Sequence, residues 1–218
     1  MKRNAASALT REQIKERVIG VSLGLFGRQG VKSVTMDDIA RALQMSKRTL
    51  YQLFADKEDL LLACVRHEDD EARARLAAVI ERSDNVLEVI LNEFDMRLRS
   101  LEGVQTAYVT DIMAYPRVQE FVMARRAADR ASAVAFFERG VEQGYFRSEV
   151  DYDVVYDILG VQLEKIFSGW AHGKYTFVQL FVNTALVIVR GCATVKGIAL
   201  IDDFLKRYEP GDGAPAAG

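Results

Sequence analysis

Residues 35–54, TMDDIARALQMSKRTLYQLF, decide the fold of the N-terminal part of the chain. Thr35 followed by Asp38 is typical of a helix start at which two side chains cap each other's backbone N–H groups. Ser46 can start a second helix after a tight turn at residues 44–46. Both halves carry apolar residues at helical spacing: Ile39, Ala40, Leu43, Leu50, Leu53 and Phe54. Two short helices joined by a tight turn predict a helix-turn-helix.

The rest of the chain repeats apolar residues every three or four positions, and alternating strand patterns are scarce. This periodicity predicts an all-α protein. A longer helix precedes the motif and ends at Gly30, which can adopt the backbone conformation of a helix C-cap. The predicted helices that follow span Met36 to Leu43, Lys47 to Phe54, about 57–82 after a cap at Asp56, 86–101, 104–114, 116–142, 151–171 and 176–195, and one after Gly197 to about 208.

The composition describes a globular chain without a covalent framework. Of its 218 residues, 50% are hydrophobic and 28% are charged. The two cysteines, Cys64 and Cys192, exclude a disulfide framework and indicate a reducing compartment, so we expect a cytoplasmic protein. The most apolar stretch, residues 175–189, is shorter than the roughly 20 residues that a membrane helix needs, and we expect no membrane association.

Charge is distributed unevenly along the chain. Residues 1–57 hold 11 Lys and Arg against five acidic residues, a net charge of +6, whereas residues 58–218 hold 18 against 26, a net charge of −8. A basic end on an acidic body suits docking of an anionic polymer at that end only. An ordinary solvated surface is the alternative interpretation of the basic segment.

The polar residues of the motif have the chemistry of a nucleic-acid contact. Thr35 offers a hydroxyl and free backbone N–H groups at a helix N-terminus, which is a favourable phosphate site. The N-terminal end of a recognition helix faces base edges in the major groove, and residues 46–49 occupy that end here. The candidate DNA-binding residues are Thr35, Ser46, Lys47, Arg48, Thr49, Tyr51, Gln52 and Lys57. A generic three-helix packing unit is the alternative interpretation.

A specific residue pattern resembles the N-terminal domain of TetR-type bacterial transcriptional regulators. It comprises Phe26, Gly30, Thr35, Ile39, Ala40, the segment SKRTLYQLF at 46–54 and the segment KEDL at 57–60. The resemblance covers about residues 11–65. It implies an all-helical homodimer of nine to ten helices, a C-terminal domain that binds a small molecule or dimerises, and repression of nearby genes through a double-stranded DNA operator.

The resemblance also implies roles for single residues. Thr35, Tyr51 and Lys57 would contact phosphates, and Lys47, Arg48, Thr49 and Gln52 would face bases. Three positions depart from the family pattern: Gln44 stands where glycine is common, Leu53 where His or Tyr is frequent, and Arg48 where a small residue is usual. We predict that Arg48 makes a bidentate contact to guanine, and a phosphate contact is the alternative.

On this basis we expect a helix-turn-helix domain at 9–57, a ligand-binding and dimerisation domain at 58–208 and a disordered tail at 209–218. The predicted helix at 176–195 is apolar nearly all round, which favours burial on both sides. The helix before it carries apolar residues at similar spacing, so we expect a four-helix dimer contact. The candidate interface residues are Leu159, Leu163, Ile166, Trp170, Phe177, Phe181, Thr184, Ile188 and Gly191. Filling of a monomer core is the alternative.

An effector pocket is less evident from the sequence. Its candidate lining residues are Phe94, Leu98, Tyr108, Ile112, Met113, Phe121, Phe137 and Tyr156. Such a lining favours a small hydrophobic or aromatic effector. Aromatic and Met residues at helical spacing also occur as plain core, and that alternative stays open for each of them.

Other chemistry is poorly supported. His67 heads an acidic run at 67–71, but consecutive helix residues point in different directions, so we interpret the run as a solvated face and expect no metal or cofactor. No nucleophile–base arrangement or phosphate-binding glycine loop indicates an enzyme. A helical small-molecule-binding dimer with weak or lost DNA binding is the main alternative, because Gln44 and Leu53 depart from the family pattern.

Overall fold

The computed structural model describes residues 10–101, 106–167, 174–175 and 177–207, and these residues form ten α-helices. They are α1 (Arg11–Gln29), α2 (Met36–Ala42), α3 (Lys47–Leu53), α4 (Lys57–Arg82), α5 (Val86–Leu101), α6 (Thr106–Ile112), α7 (Pro116–Glu142), α8 (Tyr152–Phe167), α9 (Phe177–Cys192) and α10 (Val195–Arg207). The predicted all-α class is confirmed. Among the described residues, no helix has both the length and the hydropathy for crossing a bilayer.

The ends of α1 follow the sequence closely. The Thr10 hydroxyl accepts the Gln13 backbone N–H, and the Gln13 side chain accepts the Thr10 backbone N–H in return. At the other end, Gly30 has a φ of 78°, and its N–H donates to the Phe26 carbonyl over 2.8 Å. The predicted C-cap at Gly30 is therefore confirmed, because this positive φ favours a residue without Cβ.

The chain divides into two compact units. The first takes its described residues from 1–73 and 103–125, and the second takes them from 74–102 and 126–218. Helices α4 and α7 contribute to both units. The predicted domain boundary near residue 57 stays a prediction, and the predicted disordered tail at 209–218 lies outside the described residues.

The core of the first unit joins α1, α2, α3, the start of α4 and the turn after α1. Its fully buried side chains include Val18, Phe26, Val31, Val34, Ile39, Leu50, Leu60 and Leu61. Burial of each such side chain contributes about 1.5–3 kcal/mol relative to exposure. This core therefore fixes the helix-turn-helix without a metal or a disulfide among the described residues.

The core of the second unit is aromatic. The rings of Phe137 and Tyr152 stack with centroids 5.2 Å apart and planes 8° apart, and Phe146 packs on both. Buried residues of α5, α9 and α10 complete this cluster, among them Leu87, Leu91, Cys192 and Ile201. Offset aromatic pairs of this kind add about 0.5–1.5 kcal/mol beyond the burial of their area.

The predicted start of the last helix is wrong. The sequence pattern places Gly197 between two helices, but α10 begins at Val195 and Gly197 lies in its first turn. The Gly197 N–H donates to the Thr194 hydroxyl over 3.2 Å, so Thr194 caps the helix. A Cβ at Gly197 would collide with the carbonyl oxygen of Tyr145, so glycine permits a close approach of two backbones. The expected extensions of α8 to residue 171 and of α10 to 208 lie outside the described residues.

Candidate nucleic-acid interface

Thr35 and Asp38 cap the N-terminus of α2, as the sequence predicts. The Thr35 hydroxyl accepts the Asp38 N–H over 3.2 Å, and the Thr35 backbone N–H donates to the Asp38 carboxylate over 3.0 Å. The Thr35 hydroxyl also donates to this carboxylate over 2.6 Å. These hydrogen bonds from the Thr35 side chain and backbone hold the pKa of Asp38 below its usual value.

The turn between α2 and α3 contains an unusual backbone conformation. Gln44 has a φ of 55°, the one positive φ outside glycine among the described residues. The Met45 N–H donates to the Ala40 carbonyl over 3.0 Å and closes the end of α2. This is the position at which the family pattern commonly has glycine, so Gln44 adopts the glycine-type turn at an energetic cost.

Helix α3 has one buried edge and a broad polar exposed face. Leu50 is fully buried, while residues 46–49 and Gln52 are exposed. The Ser46 hydroxyl accepts the Thr49 N–H over 3.1 Å, which confirms the predicted cap. Tyr51 leaves 49% of its surface exposed, which is unusual for an aromatic side chain of this size. The helix therefore presents donors, acceptors and an aromatic ring while its buried edge holds its orientation.

The two cations at the start of α3 are in different environments. The Lys47 ammonium forms an ion pair with Asp37 of α2. Arg48 is exposed and makes no hydrogen bond or ion pair within the part of the chain that the structure describes. Arg48 is thus the cation that can reach a ligand without first breaking a contact.

Lys57 was expected at a phosphate but lies against the protein backbone. Its ammonium donates to the carbonyls of Val31 over 3.0 Å and Val34 over 3.1 Å. The ammonium also lies 6.0 Å from the centre of the Tyr115 ring. Two of its three donors are therefore used by the turn before α2, and the predicted phosphate contact stays a prediction.

Arg11 also belongs to this surface, although the sequence pattern did not predict it. Its guanidinium donates to the Gln52 carbonyl at the end of α3 over 3.2 Å. Arg11, Thr49, Gln52 and Leu53 line a groove of about 430 Å³. The exposed basic residue at the start of α1 was the available signal, but only tertiary packing brings it to α3.

The predicted effector-lining residues are divided between the two compact units. Tyr108, Ile112, Met113 and Phe121 belong to the first unit, whereas Phe94, Phe137 and Tyr156 belong to the second; the side chain of Leu98 lies outside the described side chains. The Tyr108 hydroxyl donates to Glu68 over 2.6 Å, and burial is the main cause that raises the Tyr108 pKa. Phe137 packs in the aromatic core. None of the eight lines a second groove of about 430 Å³ beside α1 and α4.

The predicted dimer residues occupy several environments. Ile166 is buried within its own chain, Leu159, Leu163, Thr184 and Ile188 are half-buried, and Gly191 is exposed. Trp170 and the side chains of Phe177 and Phe181 lie outside what the structure describes. A different row of α8 is exposed, at the spacing i, i+4 and i+7: Val154, Ile158 and Val161. Val187 of α9 is 70% exposed.

A capped helix-turn-helix whose second helix presents a polar, partly cationic face defines a DNA-binding protein of the helix-turn-helix class. Residues 18–64 match the family described as "Bacterial regulatory proteins, tetR family". The N-terminal part of the chain therefore carries the DNA-binding domain of the TetR family of transcriptional regulators, as its sequence pattern predicts.

Relatives with assigned names support the same class. The chain is 26% identical over 187 residues to the "HTH-type transcriptional repressor KstR2" of Mycobacterium tuberculosis (strain ATCC 25618 / H37Rv), covering 83% of this chain and 93% of the relative. It is 21% identical over 194 residues to the "HTH-type transcriptional regulator HbdR" of Aromatoleum sp. (strain CIB), covering 85% and 83%.

Solved structures share the fold. A "putative transcriptional regulator from Saccharomonospora viridis in complex with choline" has a TM-score of 0.66 at 20% identity, covering 84% of this chain and 99% of that chain. A "gamma-butyrolactone receptor (ArpA like protein)" has a TM-score of 0.64 at 22% identity, covering 91% and 98%. At these identities the likeness establishes the fold.

Proposed function

We propose that this TetR-family regulator is a dimeric repressor that acts in the cytoplasm on a pseudo-palindromic operator. The observation that carries the proposal is the exposed polar face of α3, which Leu50 anchors and Ser46 caps. The N-terminal end of such a helix enters the major groove and meets base edges. The similarity to KstR2, which is named a repressor, extends over most of this chain and supports repression as the mode of regulation.

Arg48 reads a base in this proposal. Its guanidinium is exposed and has no partner to give up among the described residues, and a bidentate pair with guanine contributes about 1–3 kcal/mol of discrimination. Ser46, Lys47, Thr49 and Gln52 surround it on the same helix end. Lys47 exchanges Asp37 for DNA when it binds, so it contributes less net affinity than Arg48.

Phosphate contacts hold α3 in register. Tyr51 is the exposed aromatic of α3, and its hydroxyl reaches beyond the helix toward the DNA backbone. Thr35 stands at the N-terminus of α2, where backbone N–H groups favour an anion. Lys57 keeps one ammonium donor for a phosphate beyond its two carbonyl contacts.

The dimer contact lies on the paired faces of α8 and α9. Val154, Ile158 and Val161 form an exposed apolar row on α8, and Val187 adds an exposed side chain on α9. A symmetric dimer buries such a row against its own copy. The two α3 helices then enter successive major grooves about 34–36 Å apart.

A small hydrophobic or aromatic effector releases the operator in this proposal. It binds within the domain at 58–208, which the sequence assigns to ligand binding, and favours a dimer whose α3 helices no longer match the operator spacing. The choline complex and the receptor named for gamma-butyrolactone are fold relatives that bind small molecules, which supports an effector of this size.

The test is fluorescence anisotropy with labelled DNA from the region upstream of the protein's own gene, and with sites selected from random DNA, across a salt series. We expect tight binding that resists competitor DNA and weakens steeply with salt. Arg48→Ala should weaken binding by about 1–3 kcal/mol, which is roughly 5- to 150-fold. It should also relax the preference at one base pair.

The control is Arg28→Ala, which removes an exposed cation at the end of α1, away from the α3 face. A uniform loss across all sequences for Arg48→Ala that exceeds the loss of the control would assign Arg48 to a phosphate, and a loss equal to that of the control would leave Arg48 without a DNA contact. Weak binding without sequence preference by the wild type, before and after selection, would favour the small-molecule-binding dimer with lost DNA binding.

A further inference from the structure

Helix α6 lies directly against the turn that leads into α2. A Cβ built on Gly30 would lie 3.1 Å from the Cβ of Ala107 and 3.4 Å from the Oδ2 atom of Asp111. Gly30 therefore leaves space for α6 to approach the end of α1. The contact brings a helix that is distant in sequence onto the backbone of the helix-turn-helix.

Asp111 makes this contact specific. The side chain of Asp111 is only 10% exposed; its Oδ2 accepts the Lys32 backbone N–H over 3.0 Å, and its Oδ1 lies 3.0 Å from the Lys32 ammonium. The rest of the Lys32 side chain is largely exposed. A buried carboxylate that accepts a backbone N–H fixes the direction of that peptide group. Asp111 thus holds the main chain of the turn, while the ammonium offsets its charge.

The same turn is held from α4. Lys57 donates to the carbonyls of Val31 and Val34, which lie on either side of Lys32. The N–H of Lys32 and these two carbonyls are therefore all bound by side chains from other helices. Thr35, the cap of α2, follows the turn immediately. A shift of the turn would move α2 and, through the α2–α3 packing, the exposed face of α3.

Helix α6 is also fixed to α4. The Tyr108 hydroxyl donates to the Glu68 carboxylate over 2.6 Å, and Tyr108 is buried. Tyr108 and Asp111 are three residues apart, so they are neighbours on one face of the helix. The same face of α6 is thus tied to both α4 and the turn before α2.

We propose that Asp111 is a positioning residue for DNA binding, which holds the turn before α2 so that α3 meets the operator in register. The proposal rests on the proposed function. It assigns to α6, in the middle of the chain, a part in setting operator affinity without contact to DNA.

The test uses the full-length protein and two substitutions that remove the same charge. Asp111→Ala removes both the carboxylate and the acceptor for the Lys32 N–H. Asp111→Asn removes the charge but keeps an oxygen for that N–H. Loss of a negative charge beside a DNA-binding face favours DNA binding by electrostatics alone. We expect Asp111→Ala to weaken operator binding by about tenfold nevertheless, and Asp111→Asn to bind as tightly as the wild type or more tightly.

Asp70→Asn is the control for the change in charge. It removes an exposed carboxylate from α4 and should leave operator affinity within about twofold of the wild type. Circular dichroism and Tm record whether each variant folds. If Asp111→Ala does not fold, Asp111→Glu provides the test, because it keeps the charge and displaces the carboxylate by one methylene. This variant should bind the operator about threefold more weakly.

The failure of this proposal can be separated from failure of the proposed function. If the wild type shows no sequence preference on selected DNA, the proposed function fails and the role of Asp111 fails with it. If the wild type reads a sequence and Asp111→Ala binds as tightly as Asp111→Asn, only the positioning role is overturned. A folded Asp111→Glu variant that binds the operator as tightly as the wild type would also overturn the positioning role alone.

Discussion

At the scale of single residues, the turn of the helix-turn-helix depends on Gln44, whose φ of 55° lies in the left-handed region. A residue with a Cβ pays about 1–2 kcal/mol for this conformation, and glycine does not. Glycine loses more backbone entropy on folding, which offsets part of the gain. We expect Gln44→Gly to raise the free energy of unfolding by about 0.5–1 kcal/mol. Urea denaturation followed by circular dichroism measures the change.

Gln44→Ala is the matched control for this prediction. It removes the same side chain but keeps the Cβ that makes the left-handed conformation costly. We expect no stabilisation from alanine. An equal gain in the alanine variant would mean that the Gln44 side chain, not its backbone conformation, limits stability.

The sequence predicted the helix caps but not the partners of the lysine side chains. Thr35 and Ser46 could be predicted as caps because capping involves residues three apart in the chain. The partners of Lys47 and Lys57 could not be predicted in this way, since Asp37 and the carbonyls of the turn meet them only after the helices pack. A long, flexible lysine side chain can reach several partners that only the tertiary structure brings near, so the local sequence does not predict which partner it binds.

At the scale of helices, the start of α10 shows how a non-local contact overrides a local signal. Glycine commonly marks a helix end, so Gly197 was placed outside the helix. In the structure the chain breaks earlier, where the Arg147 N–H donates to the Cys192 carbonyl and the Thr194 N–H donates to the Tyr145 carbonyl. These bonds to the turn after α7 fix the break at 193–194, and Gly197 is required for the close approach.

Gly197→Ala tests this account of α10. The added Cβ would collide with the Tyr145 carbonyl oxygen, which belongs to backbone and cannot rotate away. We expect the free energy of unfolding to fall by about 1–3 kcal/mol, in the range of overpacking substitutions. Gly20→Ala is the matched control, because a Cβ there meets nothing within 4 Å and alanine favours the helix by about 1 kcal/mol. A rise in the free energy of unfolding in both Gly197→Ala and Gly20→Ala would contradict the close approach at Gly197.

Helix α8 shows a second limit of periodicity. Its sequence carries apolar residues at helical spacing on more than one face, and the row Leu159, Leu163 and Ile166 was chosen for the dimer contact. The structure buries Ile166 within the chain and exposes Val154 and Ile158 instead. When a helix carries apolar residues on two faces, the sequence pattern does not distinguish its inner face from an interface. The fold class was therefore predictable from the sequence, whereas the outward face of α8 was not.

At the scale of the whole molecule, the proposed dimer links the apolar row of α8 to operator affinity. Ile158 is 49% exposed at the centre of this row, so Ile158→Glu would leave the fold of one chain intact. In the dimer, the same carboxylate would be buried without a partner at a cost of several kcal/mol, so we expect monomers by analytical ultracentrifugation. Loss of the link between two recognition helices should weaken operator binding by about 100-fold or more.

Val195→Glu is the control for this last prediction, because Val195 is 86% exposed at the start of α10 and lies outside the apolar row. This variant should keep both the dimer mass and the operator affinity of the wild type. Unchanged helical content in Ile158→Glu would show that the chain still folds. Dimers of wild-type mass in a folded Ile158→Glu variant would place the contact on another surface. Monomers that bind the operator at wild-type affinity would instead mean that each subunit reads DNA alone, since two linked half-sites could not tolerate loss of the link.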